Sequence, residues 1–309
     1  MPVATVTVPA TTANLGPGFD CIGAALSLYN RFQFTPLDGE EPTVQFQVTG
    51  TEADRVQRDK SNLAYQAFCR VYDHLNQTPP SVEIAIQLGV PLARGLGSSA
   101  TAIVGGLLGA NLLAGSPLSA DDIMKLAIAI EGHPDNVVPA LVGGCQLSAL
   151  DAQDNWLTVP IPWHADIVPV IAIPNFELST AEARRVLPKD YSRADAIFNT
   201  AHLGLLIRAL ETGQSDWLSA ALQDRIHQPY RKPLITGYEA VQAAAMSVGA
   251  YGLVISGAGP TLLALTSEER SPAVQARMER AWAEQGILAQ VEALQLDTQG
   301  AIAQLQASV

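Results

Sequence analysis

Residues 91–101 read Pro-Leu-Ala-Arg-Gly-Leu-Gly-Ser-Ser-Ala-Thr, a glycine-rich turn running into a helix of small and apolar residues predicted over 100–114. A helix N-terminus leaves its first N–H groups unpaired and carries the positive end of a dipole, so this pattern suits a phosphate. Gly95 and Gly97 allow the backbone to bend closely around an anion. Ser98 and Ser99 add hydroxyls where a metal-bound nucleotide would sit. No lysine follows the last glycine, so the ordinary P-loop is excluded. A simply capped loop remains the alternative for this segment taken alone.

Glu131 falls at the predicted C-terminal end of a helix, where a carboxylate meets the negative end of the dipole and a neighbouring cation would relieve it. The Ser99 hydroxyl and the Glu131 carboxylate would supply the sparse oxygen shell that Mg²⁺ prefers; the plain alternative is an exposed glutamate on a frayed end. In Glu131-Gly-His-Pro-Asp-Asn136, Gly132 and Pro134 impose a turn that projects His133, Asp135 and Asn136. His133 is a general base, a substrate hydrogen-bond partner or a turn residue. Asn136 binds a polar substrate group or caps the next segment. In Thr11-Thr-Ala-Asn-Leu-Gly-Pro-Gly-Phe-Asp20, Asn14 and Asp20 hold an ammonium or hydroxyl, or stabilise the turn as Asx residues. Arg184 and Arg231 offer guanidinium forks that match a carboxylate, against the default of a solvated surface arginine. Ser256-Gly-Ala-Gly-Pro-Thr261 is a hairpin or a backbone wall closing a cleft.

These residues need a framework. At 309 residues the chain exceeds one ordinary core, so two domains are expected, and 48% hydrophobic against 16% charged residues fits a globular protein rather than a disordered one. A net charge of −12 argues against nucleic acid and anionic membrane as partners. Cys21, Cys69 and Cys145 make neither a zinc spacing nor a disulfide framework, which points to the cytoplasm. Met1 leads directly into an alternating strand, so no signal peptide is expected. The apolar stretch after Ser99 is broken by glycines and carries Asn111, which makes it a buried helix and not a membrane span.

Strands are predicted at 3–8, 44–48, 82–88 and 143–150, with a loop over 9–20. A helix capped by Ser61 would bury Leu63, Ala64, Ala67, Phe68, Val71 and Leu75. Close packing explains Gly105, Gly106 and Gly109 in the helix after Ser99. Ser119 and Asp122 form a capping box for a helix that stops at Gly132. The composition changes at Pro160-Ile-Pro162, so the domains are placed at 1–160 and 161–309. Beyond it come strand 166–173, a helical run 180–245, strands 253–256 and 261–265, helix 272–285 and strand 288–296. That order predicts an α+β chain with a ferredoxin-like, split βαβ second domain.

Three segments in order, 9–20, 91–100 and 256–261, resemble the small-molecule kinase superfamily of galactokinase, homoserine kinase, mevalonate kinase and phosphomevalonate kinase. The first of them, together with Glu131-Gly-His-Pro-Asp-Asn-Val-Val-Pro139, is similar to the homoserine kinase family within it. The resemblance spans essentially the whole chain. It implies two α+β domains with the active site between them, the first a mixed sheet with a left-handed-type βαβ phosphate-binding unit. It implies ATP, held by Pro91, Leu92, Ala93, Arg94, Gly95, Leu96, Gly97, Ser98, Ser99, Ala100 and Thr101, with Asn62 near the nucleoside. Mg²⁺ would sit on Ser99 and Glu131. L-homoserine, phosphorylated towards threonine, would place its amino end and hydroxyl against Asn14 and Asp20 and its carboxylate against Arg184 and Arg231. Thr180, His133, Asn136, Gly257 and Gly259 would complete the pocket. The galactose and mevalonate kinases carry an aspartate base about where Asn136 falls, and an amide cannot take the proton. Catalysis by Glu131, Ser99, Asn136 and Asp20 is therefore expected to rest on positioning, with His133 and Asp20 as proton acceptors in reserve. Alternatives are a mevalonate-type kinase and a metabolite sensor on the same fold. A homodimer is expected on general grounds.

Overall fold

The computed structural model describes residues 2–39 and 42–306. The first unit runs β1 (Val3–Ala13), β2 (Ile22–Pro36), β3 (Val44–Gly50), α1 (Leu63–His74), β4 (Val82–Leu88), α2 (Ser98–Leu113), α3 (Ala120–Glu131), α4 (Pro134–Val142), β5 (Cys145–Leu150) and β6 (Trp156–Ile161). The second runs β7 (Val168–Pro174), α5 (Thr180–Arg185), α6 (Arg193–Thr212), α7 (Ser215–Ala221), α8 (Gln228–Arg231), α9 (Tyr238–Ser247), β8 (Gly252–Ile255), β9 (Leu262–Thr266), α10 (Ser271–Ala283) and β10 (Ala289–Ala293). The closing strand is β11 (Ile302–Gln306).

The first sheet is mixed, in order β11-β1-β2-β4-β3, with β5 on β2 and β6 on β5. Among the described residues only the β3–β4 pairing is parallel, the two strands being joined through α1. Phe32 and Phe34 on β2 bury against Phe68 of α1 and Ile103 and Leu107 of α2. The α2 glycines allow this contact, since a Cβ on Gly105 would come within 2.5 Å of the Phe32 ring and one on Gly109 within 2.3 Å of Phe34. The second sheet is antiparallel, in order β10-β7-β9-β8, which is the expected ferredoxin-like arrangement. Val170 and Leu262 on it pack with Val241 of α9 and with Val274 and Trp282 of α10. A further core cluster joins the units, with Leu15, Ile22 and Leu96 meeting Ile171, Leu210 and Leu263. The 14–20 and 91–99 loops rest on this shared apolar floor through Leu15 and Leu96.

Several local expectations change. The first strand does not stop at Val8 but continues to Ala13, with a register shift between Pro9 and Ala10, where proline cannot donate to the ladder. Asn62, not Ser61, caps α1, its Oδ1 accepting from the Ala64 and Tyr65 N–H groups. The second helix begins at Ser98, so both serines lie in its first turn. The segment after Pro134 is a helix and not only a turn. The run 180–245 is divided, with Gly213 capping α6 in the left-handed region. The Ser119–Asp122 capping box is present. Residues 302–306, placed by sequence in the second domain, pair with β1 of the first sheet, because β1 has a free edge that the returning chain completes. Residues 1, 40, 41 and 307–309 of the expected domain ranges lie outside the described residues. Among the described residues, no helix is long and apolar enough to cross a membrane.

Candidate active site

A cavity of about 530 Å³ opens between the two units. One end is the 91–99 loop. Gly97 caps α2 in the left-handed conformation (φ +67°), and no side chain caps the helix. Its first-turn N–H groups are thus left without a side-chain cap next to the cavity, the geometry that suits an anion. A Cβ on Gly97 would lie 1.9 Å from Thr11 Oγ1, and one on Gly95 (φ +75°) 2.3 Å from the Ser256 carbonyl oxygen. The loop is therefore pressed between β1 and the 256–261 turn.

Arg94 braces this loop. Its Nε donates to the Pro174 carbonyl (3.1 Å) and its Nη1 to that of Leu92 (2.9 Å). Glu52 and Glu177 flank its guanidinium at 3.7 and 3.4 Å, and Glu52 also accepts from the Leu92 N–H at 2.6 Å. Leu92, Ala93, Arg94, Gly95, Gly97, Ser98, Ser99 and Asn62 line the cavity. Pro91, Leu96, Ala100, Thr101 and Gly259, all expected in the site, are not among its lining residues. Leu96 and Ala100 are core residues on the inward side of the turn, and Thr101 is buried with its Oγ1 bonded to Asn30 and to the Ser98 carbonyl. Gly259 packs on Leu178, Ile235 and Ile255. Asn62 lies in the wall, but its amide is engaged by the α1 cap and by the Gln57 carbonyl.

Ser99 Oγ donates to Glu131 Oε2 at 3.0 Å. Burial raises the Glu131 carboxyl above its ordinary range, against the partial relief given by His133 and the Ser99 hydroxyl. Among the described residues no ion pair holds this carboxylate, and the Ser99 hydroxyl is its hydrogen-bond partner. This donor set of hard oxygens fits Mg²⁺.

The other end of the cavity is built from charge. Arg184 Nη1 and Nη2 donate to the two carboxylate oxygens of Asp20, at 3.0 and 2.8 Å. This bidentate bond, ahead of the opposing effect of partial burial, raises the Arg184 guanidinium. Arg231 is buried, its Nε donating to the Ala183 carbonyl and its Nη1 to that of Gly257, both at 3.1 Å. Burial and then the neighbouring Arg184 lower the Arg231 guanidinium. His133 Nδ1 shares a short hydrogen bond with Asp135, and Asn136 Nδ2 donates to the same carboxylate at 3.2 Å. Burial works against the charged His133, but its bond to Asp135 outweighs this with help from Glu131, and the imidazole is raised. Ligand atoms of Asp20, His133 and Asp135 all lie within 4.8 Å of one another. The local field shows in Cys21, whose thiol is pushed up to about 11 by burial and then by Asp135 and Asp20.

Asn14 and Asp20 both take positive φ (74° and 56°), a conformation that Asx residues tolerate. Asn14 links loops, Nδ2 donating to the Gly257 carbonyl (2.8 Å) and Oδ1 accepting from the Asp20 N–H (3.0 Å). Asn136 Oδ1 accepts from Thr11 Oγ1 at 2.8 Å, so both ends of its amide are occupied and neither can take a proton. Thr180 is exposed at the start of α5, and it lines the cavity with Gly257. The structure thus brings together Asn14, Asp20, Asn62, Ser99, Glu131, His133, Asn136, Thr180, Arg184, Arg231 and Gly257 around one cavity.

Sequence reading assigned no role to Asp135, although an acid in the first turn of a proline-started helix is a readable signal. It also passed over Phe19, whose ring lies 5.8 and 5.1 Å from the Arg184 and Arg231 guanidinium carbons, and the Glu52–Arg94–Glu177 brace. No local pattern announces those contacts, which join residues far apart in the chain.

Comparison with known proteins gives a consistent result. Residues 62–144 match the GHMP kinases N terminal domain and residues 206–284 the GHMP kinases C terminal domain. The chain is 67% identical to homoserine kinase of Trichormus variabilis and 68% identical to that of Nostoc punctiforme, in each case over 96% of this chain and 97% of the relative. A crystal structure of homoserine kinase from Cytophaga hutchinsonii superposes with a TM-score of 0.88 at 29% identity, covering 98% of this chain and 97% of that one. L. major mevalonate kinase, at 17% identity and a TM-score of 0.71 over 94% of this chain and 95% of its own, shares the fold.

Proposed function

We infer that this chain, which belongs to the homoserine kinase family of the GHMP kinases, transfers the γ-phosphoryl group of ATP to the side-chain hydroxyl of L-homoserine. The products are ADP and O-phospho-L-homoserine, on the way to threonine. The observation that carries the acceptor reading is the bidentate Asp20–Arg184 pair in the same cavity as the phosphate loop. A zwitterion is its electrical complement. The ammonium takes the place of Arg184 at Asp20, with Asp135 nearby, and the carboxylate takes the place of Asp20 at Arg184, with Arg231 behind it. An acceptor without the ammonium leaves a carboxylate unpaired in a half-buried site, which is how such a pocket rejects it.

The uncapped N-terminus of α2 receives the phosphates. Ser99 and Glu131 would hold Mg²⁺, which neutralises charge on the transferring group when bound. The acceptor hydroxyl oxygen forms the new bond to phosphorus while the bond from phosphorus to the ADP oxygen breaks, and the hydroxyl proton leaves as that new bond forms. Asn136 orients and does not accept. With a loose transition state, positioning carries most of the acceleration, and His133 and Asp20 are the groups available to the departing proton. A general base contributes about 10²–10⁴-fold, so His133→Ala should lower kcat by less than that; a loss of several hundredfold with native-like stability would instead make His133 the base.

ADP release measured in parallel with L-homoserine, L-serine, L-threonine and mevalonate tests the reading. Strong preference for L-homoserine is expected, and turnover of mevalonate in its place would overturn it. The three free cysteines fit a reducing compartment, which favours the cytoplasm. Sedimentation would test the expected homodimer.

A further inference from the structure

His227 has no part in the chemistry described, yet its side chain is fully buried beneath the acceptor end of the cavity. Its Nε2 lies 2.9 Å from the carbonyl oxygen of Gly16, in the loop that carries Asp20. A carbonyl only accepts, so Nε2 holds the proton and Nδ1 is a bare acceptor. Arg231 Nη1 faces that acceptor at 3.4 Å. Phe19 stacks on the imidazole at 5.0 Å and also lies beneath Arg231. Asp224 fixes the backbone here, accepting from the N–H groups of Ile226, His227 and Gln228 at 2.9, 2.9 and 2.7 Å and from Asn199 Nδ2 at 2.7 Å. Its carboxylate oxygens are thus engaged and lie 3.7 Å from His227 Nε2 at the closest.

The geometry points to His227 as a positioning residue for acceptor binding, a pin that in its neutral Nε2–H form locks the Asp20 loop to Arg231. The inference rests on the homoserine kinase reading above. It explains why a buried histidine stands four residues before Arg231 on the turn that presents it: one ring nitrogen grips the loop and the other orients the guanidinium. Protonation removes the acceptor and sets two cations side by side. The charged groups facing the ring are Asp224, Arg231 and, further off, Asp20; burial leads in lowering the imidazole from its ordinary 6.5, Asp224 opposes it and Arg231 adds to it.

The test uses full-length protein with homoserine and MgATP varied separately. His227→Phe keeps the stack and loses both hydrogen bonds, and it should raise KM for homoserine about tenfold while kcat and KM for MgATP stay within about threefold. His227→Gln can donate to Gly16 and accept from Arg231, and should recover most of the affinity. In the native protein KM for homoserine should climb as pH falls below the ordinary imidazole range, and that climb should flatten in His227→Gln. If His227→Phe does not fold, the pH profile of His227→Gln against the native protein decides. Unchanged homoserine KM in folded His227→Phe, equal losses for both substrates, or identical pH profiles would each overturn the pin. If the native protein failed to turn over homoserine at all, the acceptor reading itself would fall, and the two failures are told apart by that control.

Discussion

The two ends of the cavity are made in different ways. The end proposed for the nucleotide comes from one contiguous stretch, residues 92–99, and the groups it would use are backbone N–H donors at the start of α2. The end proposed for the acceptor draws on Asn14, Asp20, His133, Asp135, Asn136, Thr180, Arg184, Arg231 and Gly257, and its charged side chains pair with one another, Arg184 with Asp20 and His133 with Asp135. A backbone cradle is encoded where it is used and tolerates little change in shape. A pocket of side-chain charge is assembled by folding, and its selectivity depends on which charges are left without partners. Thr11 joins the ends, with Oγ1 bonded to Asn136 and pressed against Gly97.

The largest effect separating the ends should come from Glu131→Gln. It keeps the shape and removes the charge that would hold the metal, so kcat should fall by about 10²–10³, the usual weight of a lost electrostatic partner in a transition state, and the Mg²⁺ needed for half-maximal rate should rise. Turnover with unchanged Mg²⁺ dependence would remove this residue from the nucleotide end. Next, Asp20→Asn should raise KM for homoserine by about 10²-fold, since it removes the charge that would pair with the ammonium. KM for MgATP should hardly move, and equal shifts in both would show that the ends are not separable.

Gly97→Ala should act through shape. The added Cβ meets Thr11 at 1.9 Å in a left-handed residue, a strain of about 1–3 kcal/mol that a drop in Tm would report, and MgATP affinity should suffer more than homoserine affinity. Arg94→Met keeps the bulk and loses the brace to Pro174, Glu52 and Glu177. It should raise KM for MgATP about fivefold, as loss of a few part-buried charge-assisted bonds would, and leave KM for homoserine alone. The smallest effect concerns acid stability. His227 is lowered in the folded state, so below the ordinary 6.5 the unfolded chain binds more protons than the native one. The stability associated with the neutral form is complete above 6.5 and is lost as pH falls through the lowered folded value. Thermal melts from pH 7 to 5 should therefore decline less steeply in His227→Gln than in the native protein.

Much of this was legible in the sequence where the physics is local. The 91–101 segment reads as a candidate phosphate turn because glycines, serines and a helix start are adjacent in the chain. The α2 glycines read as close packing, and the partners proved to be Phe32 and Phe34. Ser119 and Asp122 read as a capping box because its hydrogen bonds span only three residues. Legibility fell where an outcome depends on a competitor elsewhere. Ser61 and Asn62 are both acceptable caps, and contact with Gln57 selects Asn62. Pro9 reads as the end of a strand, but β2 continues the pairing beyond it.

The sequence by itself determined the two α+β units, the glycine-rich turn before a helix and the set of charged and polar residues offered for the proposed site, because helix periodicity, capping and turn chemistry act over a few residues. Tertiary structure decided which of those residues face one another. Asp20 and Arg184 are 164 positions apart and pair bidentately. The amides of Asn14 and Asn136 became ties between loops, and Leu96, Ala100 and Thr101 turned inward, away from the cavity. The reason is that a side chain's partner is fixed by packing of the shared apolar floor between the two sheets, which no short window of sequence contains.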